Sequence, residues 1–350
     1  MTLSETLHTA LLITAGGLLL AGLIFAVLPR GRVVWHIAWR NLWQTRLTSL
    51  VTILAVALSA GLVMSVFAIY AEARRAFVVS NAGFDAVLGA RGSDMQLVLN
   101  AIYHLDNSPG NLGWRAYREL AEARDPRSGL PMVLRAVPYA LGDNYRGARI
   151  IGTTRERFDP IPDRPTIGLP LALGRYFDEG TGPFGDGRDA DGEPRREAVV
   201  GALVAEVQGL TLGSTFQPYH GLEFDPTQQH SEVYTVVGVL APTYGPDDRV
   251  IFIPIEGVFR MEGHAVFGAG EEYVPQPGVA IPEEHKQVSA VLIAFADPRF
   301  GLYWNRMINT LGDRATLAWP ISSTIQQLFQ RFGWLLQVVA VLAAIVAVVA

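Results

Sequence analysis

Three long apolar blocks without any charged residue constrain the fold of this chain more than any other feature. They comprise residues 9–28, 49–70 and 332–350, and none of them contains Asp, Glu, Lys, Arg or His. A helix that crosses the ~30 Å hydrocarbon core of a bilayer needs about 20 such residues. Every backbone polar group must also be paired inside lipid, which favours helices. We therefore predict a membrane protein with transmembrane α-helices, and we consider a buried core helix of a soluble protein the weaker interpretation.

The first apolar block has a second interpretation, because it lies at the N-terminus. A secretory signal peptide has a basic segment before a short apolar core. Residues 1–8 contain no Lys or Arg, and the apolar run is longer than such a core. We favour an uncleaved transmembrane helix over residues 1–29, with a cleaved signal peptide as the alternative.

The orientation of the predicted spans follows from the charges between them. Arg30, Arg32, Arg40 and Arg46 lie between the first two spans, without an acidic residue. Short cytoplasmic loops are enriched in basic residues, so this segment is expected in the cytoplasm and residues 71–331 outside it. The outer segment contains 32 acidic and 24 basic residues, a net charge of −8. That balance argues against a nucleic-acid partner, for which a basic face is expected.

The basic segment between the first two spans also has a regular pattern of tryptophans. Trp35, Trp39 and Trp43 recur at every fourth position, so a helix aligns them in one stripe. Arg40 belongs to an adjacent polar stripe, and Arg46 follows the last tryptophan. We predict an amphipathic helix over residues 30–47 that lies in the cytoplasmic membrane interface and contacts lipid. The alternative is a helix that packs against another subunit.

The outer segment alternates strand-like and helix-like patterns, which predicts a large α+β extracytoplasmic domain. β-Branched and apolar runs predict strands within residues 84–90, 132–141, 148–153, 234–240, 250–255 and 287–295. Helical spacing is present in residues 94–105, 111–124 and 298–311, and residues 198–210 read as a strand followed by a helix. Ser322 or Ser323 is expected to cap a last helix that continues into the third span. The predicted divisions are 1–29, 30–47, 48–70, 71–331 and 332–350.

A search for catalytic and ligand-binding motifs predicts no enzyme, no cofactor and no metal. The single lysine, Lys286, lies in the sequence EEHKQ, so the chain lacks the lysine-containing P-loop that binds nucleotide phosphates. His220 and His230 lie near Glu223 and Asp225 in a loop-like stretch. Metal binding there is one interpretation, but we favour solvated loop histidines.

Several stretches resemble the MacB/FtsX-type permeases of ABC transporters. HIAWRNLWQTRLTSLVTILAVALSAGLVM, with its Arg40–Asn41 pair, resembles the basic interfacial helix and the first span of that family. The outer segment is similar to a MacB-like periplasmic core in its order of motifs. The matching motifs are DAVLGARGSDMQLVLNAIYHLD, GRYFDEG, EAVVGALVAEVQGLTLGSTF and YTVVGVLAPTYGPDDRVIFIPIEGVFRM.

The resemblance implies a permease subunit in the bacterial inner membrane with a large periplasmic domain. Its expected partners are a separate cytoplasmic ATPase and a second permease copy, and its expected substrate is a peptide, lipoprotein or drug that is exported or released. The alternative implied by the family is a non-transporting regulator that activates a cell-envelope partner. The family continues beyond the third span with a cytoplasmic loop and two further spans, so this chain is expected to be a fragment.

Overall fold

The computed structural model describes residues 29–79, 83–162, 164, 168–178, 196–221, 225–261, 273–276 and 279–349. The predicted span at residues 9–28 and the loop residue Glu223 lie outside the described residues. The chain divides into two compact units. One comprises Met1–Tyr70 with Gly333–Ala350, and the other comprises Ala71–Phe332. The second unit is called the core domain below.

The helices and strands follow the predicted alternation closely. The α-helices are α1 (Pro29–Gln44), α2 (Arg46–Val79), α3 (Asp94–Ala101), α4 (Trp114–Ala121), α5 (Ala202–Gln208), α6 (Ile255–Phe259), α7 (Pro298–Asn305) and α8 (Ile321–Val349). The strands are β1 (Ala86–Ala90), β2 (Leu112–Gly113), β3 (Val133–Tyr145), β4 (Ala148–Thr153), β5 (Leu171–Gly174), β6 (Glu197–Val200), β7 (Thr215–Phe216), β8 (Tyr219–His220), β9 (Tyr234–Leu240), β10 (Val250–Pro254), β11 (Gln287–Val288), β12 (Ala290–Phe295) and β13 (Ala315–Ala318).

The helix α2 contains the second apolar block. Among the described residues, one helix is long and apolar enough to cross a membrane by length and composition, and it covers Arg46–Glu72. Most of its apolar side chains are exposed, including Leu47, Leu58 and Met64. The third apolar block forms the C-terminal part of α8. That this part also spans the membrane stays a prediction.

The core domain is built on one large mixed sheet. Within the described residues the sheet has eleven strands, with a main order of β13-β1-β12-β3-β4-β10-β6-β9-β5. β3 joins its two halves, because the first part of this strand pairs with β12 and the second part with β4 and β8. Pairing is parallel between β4 and β10 and between β6 and β9. The GLTLGSTF motif ends in β7, which pairs with the start of β9. The predicted α+β content of this domain is confirmed.

The central strands form the core because their sequences are apolar without interruption. All residues of β10 and β12 are buried, which is the pattern of strands covered on both faces. α3 packs on β1 and β13, and α4 packs on β3. Gly152 in β4 allows α6 to approach, because a Cβ there would lie 2.3 Å from a methyl group of Val258.

Two local predictions differ from the structure. Neither Ser322 nor Ser323 caps the last helix, because α8 begins at Ile321 directly after Pro320. The first turn closes on the Pro320 carbonyl, which accepts hydrogen bonds from the backbone N–H (3.0 Å) and the hydroxyl (2.9 Å) of Ser323. The short strands β5 and β13 were missed, because each has only four residues and its local pattern is weak.

Candidate functional site

The tryptophan stripe predicted from the sequence lies on α1. Trp35, Trp39 and Trp43 are all more than half exposed in the chain alone, as are Val34 and Ile37 on the same helix. Arg40 lies on the same helix, and α1 contains no acidic residue. An exposed aromatic stripe beside basic residues is typical of a helix in the membrane interface. Its location at the membrane stays a prediction.

Arg46 links the end of α1 to the start of α2. Its guanidinium lies 5.8 Å from the ring centre of Trp43, and its Nε donates to the carbonyl of the same residue at 3.3 Å. At the break between the helices, the backbone N–H and hydroxyl of Thr45 both donate to the Asn41 carbonyl at 3.0 Å. Hydrogen bonds therefore continue across the break, so α1 is tied to the helix that contains the candidate membrane span.

The segment before β1 and the start of α8 meet at Asp85, immediately before β1. The Asp85 carbonyl accepts the backbone N–H of Ile321, the first residue of α8, at 2.9 Å. The Asp85 carboxylate accepts two hydrogen bonds from Arg164, at 2.8 and 2.6 Å, and one from the Phe295 N–H at 2.8 Å. Arg164 also donates to the carbonyls of Gly83 and Phe295. We call Gly83, Asp85, Arg164, Phe295 and Ile321 the junction.

The junction was not predicted from the sequence, although its geometry is specific. A two-point contact between guanidinium and carboxylate is stronger and more directional than a neutral hydrogen bond. The Arg164–Asp85 contact, with the hydrogen bonds around it, fixes the segment after α2 against β12 and against the start of α8. The only sequence signal was the DAVLGARG motif, in which Asp85 is the first residue.

A buried polar network lies deeper in the core domain. Nη2 of Arg157 contacts both carboxylate oxygens of Asp247, at 2.7 and 2.8 Å, and its Nε donates to the Tyr139 hydroxyl at 2.6 Å. His104 approaches the same carboxylate at 3.7 Å, which is too long for a hydrogen bond. Burial has the largest single effect and raises the pKa of Asp247, but the interactions with Arg157 and His104 together outweigh it, so the pKa is lowered. The network is therefore charged at neutral pH.

The favoured interpretation of two solvated loop histidines is wrong for His230, which is buried, whereas His220 is partly exposed. His230 is buried, with 5% of its side chain exposed, and His220 is only 37% exposed. Nδ1 of His220 and Nε2 of His230 lie 2.9 and 3.3 Å from Oδ1 of the buried Asp143. Asp225 instead caps its own turn, because its carboxylate accepts the backbone N–H of Thr227 at 2.9 Å. No sequence pattern pointed to Asp143, which lies far from both histidines along the chain, on β3.

Comparisons with known proteins identify the core domain. A family model described as the MacB-like periplasmic core domain matches residues 49–290, from α2 to the start of β12. The match covers more than half of the chain and includes Asp85, Arg164 and the Asp143 cluster. No curated protein gives a match.

Proposed function

Because the chain belongs to the family defined by the MacB-like periplasmic core domain, we propose that it is the membrane subunit of a MacB/FtsX-type ABC transporter. In this role it works with a separate cytoplasmic ATPase and a second permease copy. Members of this family are components of transporters and have a periplasmic domain. The finer proposal is that ATP-driven movement on the cytoplasmic side displaces the periplasmic core domain, which exports or releases a peptide, lipoprotein or drug.

The observation that supports this proposal best is the junction. The chain enters the core domain after α2 and leaves it into α8, and these two points are hydrogen-bonded to each other through Asp85 and Ile321. Arg164 binds the same aspartate and the end of β12. A displacement of either helix end therefore acts on the same three strands, β13, β1 and β12, at the edge of the large sheet.

The helix α8 is suited to transmit such a displacement. It has 29 residues, so at 1.5 Å per residue it is about 44 Å long. It contains no proline after Ile321 and only one glycine, Gly333. Proline is the commonest cause of sharp helix kinks, so an uninterrupted helix is the expected form of a rigid connection.

The experiment uses the full-length permease with its ATPase in lipid vesicles. The printed sequence contains no cysteine. Glu206→Cys, on the exposed face of α5, therefore provides one attachment site for a spin label in each permease copy. We expect the distance between the two labels to change when ATP binds. Arg164→Ala should abolish or strongly reduce this change, because it removes the link between β1, β12 and the chain entering from α2.

The matched control is Arg115→Ala, which breaks an exposed Arg115–Glu119 pair on the surface of α4. This variant should show the same ATP-dependent change as the parent protein. An unchanged distance in the parent would contradict coupling of ATP binding to the core domain. A normal response in Arg164→Ala, in protein that melts at the parent temperature, would contradict the role of the junction.

One observation favours the second candidate function, a regulator that activates a cell-envelope partner. Tyr244 is 92% exposed and has a positive φ of 55°. Its loop is held by Asp248, whose carboxylate accepts hydrogen bonds from the N–H of Thr243 and of Tyr244 at 2.9 and 2.8 Å. A rigidly presented aromatic ring is common at protein interfaces. Loss of partner activation in Tyr244→Ala, with the ATP-dependent distance change retained, would favour this second function.

A further inference from the structure

The cluster of Asp143, His220 and His230 is formed by three segments whose backbones are fixed against one another. Asp143 on β3 lies directly opposite His220 on β8 in an antiparallel pair. His230 follows Gln229, which bridges to Tyr219, and the His230 N–H donates to the Pro218 carbonyl at 2.9 Å. The three side chains therefore converge without depending on loop flexibility.

The donor atoms of the cluster have the chemistry and the spacing of a metal site. One carboxylate oxygen and two imidazole nitrogens lie within 4.8 Å of one another. Each imidazole presents a nitrogen to the same oxygen, and the rings are 4.4 Å apart in an edge-on arrangement. Two imidazoles and a carboxylate suit divalent transition metals, whereas Mg²⁺ and Ca²⁺ prefer sites made of oxygen ligands.

An ion can reach the cluster from the side of His220, because 37% of that side chain is exposed to solvent. A cleft of about 140 Å³ is lined by Asp143, Asn144, Ser108, Arg149 and Gly221, but neither histidine lines it. Arg149 is a cation in the same cleft, but its guanidinium donates to the Asp106 carbonyl at 2.7 Å.

We propose that Asp143, His220 and His230 form a binding site for a divalent transition-metal ion, with Zn²⁺ as the expected occupant. Each residue supplies one ligand, Oδ1 of Asp143, Nδ1 of His220 and Nε2 of His230. To bind the ion, each imidazole presents an unprotonated nitrogen and carries its ring proton on the other nitrogen. Three protein ligands leave a position for water, which is the arrangement of an exchangeable rather than a purely structural zinc site.

The test is a Zn²⁺ titration of the full-length protein in detergent, after removal of metal with a chelator and without a histidine tag. Binding is measured by competition with a chromogenic chelator. We expect one Zn²⁺ per chain, and a visible d–d absorption spectrum when Co²⁺ is used instead. Ca²⁺ and Mg²⁺ should not compete. The printed sequence contains no cysteine, so no thiolate in it competes for Zn²⁺.

Two ligand variants and one control make the test specific. Asp143→Asn and His220→Gln should each weaken Zn²⁺ binding by more than about 100-fold, because loss of an outer-shell partner alone costs 10–100-fold. His220 is partly exposed, so its variant should fold even if the buried Asp143→Asn does not. His285→Gln, which changes a histidine outside the cluster, should bind like the parent. Absence of saturable binding, or equal binding in His220→Gln, would show that the cluster is only hydrogen-bonded.

Discussion

Replacing Asp247 by asparagine should destabilise the core domain more than any surface change of the same size. The substitution keeps the shape of the side chain but removes its charge, which leaves Arg157 buried without a counter-ion. Arg157 is held at 2.7 and 2.8 Å by the two carboxylate oxygens and at 2.6 Å by the Tyr139 hydroxyl. Both members of the ion pair are buried.

The expected magnitude follows from the cost of an uncompensated buried charge. Removing one partner of a buried ion pair costs about 3–5 kcal/mol. Whole domains are stable by only about 5–15 kcal/mol, so this is a large fraction. For a domain of this size, each kcal/mol lowers the unfolding temperature by about 2–4 °C. We therefore expect Asp247→Asn to melt about 6–20 °C below the parent protein.

The pH of the measurement matters because the pKa of Asp247 is lowered in the folded state. A lowered carboxyl pKa contributes stability that is fully present above the unfolded value of 3.8 and is lost as the pH falls through the folded value. At pH 7 to 8 the parent protein retains the whole contribution. The melt is therefore followed in that range, by tryptophan fluorescence of the full-length protein in detergent.

The control for this prediction is Arg115→Ala. The Arg115 and Glu119 side chains are 87% and 62% exposed, and such pairs contribute at most about 1 kcal/mol. A melting temperature for Asp247→Asn that is no lower than that of Arg115→Ala would refute the reasoning. A second comparison separates charge from packing. Joint replacement by Arg157→Met and Asp247→Leu should recover most of the loss, because an apolar pair leaves no buried charge.

Three further predictions concern other parts of the chain. The hydrogen bond to Asp143 raises the pKa of His220. In metal-free protein, the stability that this bond contributes is therefore fully present below pH 6.5 and is lost as the pH rises through the folded pKa. The difference in melting temperature between the parent and His220→Gln should be larger at pH 5.5 than at pH 8.5. Gly201→Ala should cost about 1–3 kcal/mol in a thermal melt, because its Cβ would lie 2.4 Å from the Asp247 carbonyl oxygen, and an unchanged melt would contradict that close packing. Spin labels at Leu42→Cys and Gln44→Cys lie on nearly opposite faces of α1. In vesicles, the label at residue 42 should be quenched by oxygen, which is enriched in lipid, and the label at residue 44 by a water-soluble nickel chelate. Equal quenching of the two labels would contradict an interfacial helix.

Local sequence patterns were sufficient for most elements of the core domain. The strands Ala148–Thr153 and Tyr234–Leu240 have the predicted boundaries. Each is a run rich in β-branched and apolar residues that is bounded by turn residues. The helix beginning at Asp94 was also expected, but it ends at Ala101 rather than near residue 105. His104 has a positive φ of 57°, which a continuing helix does not permit.

The polar sites were not predictable in the same way, because each one joins segments far apart in the chain. Asp143 is one of many acidic residues, and only the pairing of β3 with β8 places it against His220. Without that pairing, a histidine near acidic loop residues is most simply a solvated one. The same limit applies to Arg164, whose partner Asp85 is separated from it by two α-helices and four strands.

The order of strands around β1 decides how the core domain can respond to force. β1 lies between β13 and β12 and is antiparallel to both. Val87 near the start of β1 is opposite Ala318 at the end of β13, so the chain enters and leaves the domain at the same end of this strand pair. A pull along the strands from that end loads the β1–β12 hydrogen bonds together in shear, whereas a sideways pull would open them one after another. Because Arg164 adds a two-point contact at this end, separation of β1 from β12 must begin by breaking the strongest link. For the proposed function, we therefore expect the core domain to move as one body with α2 and α8.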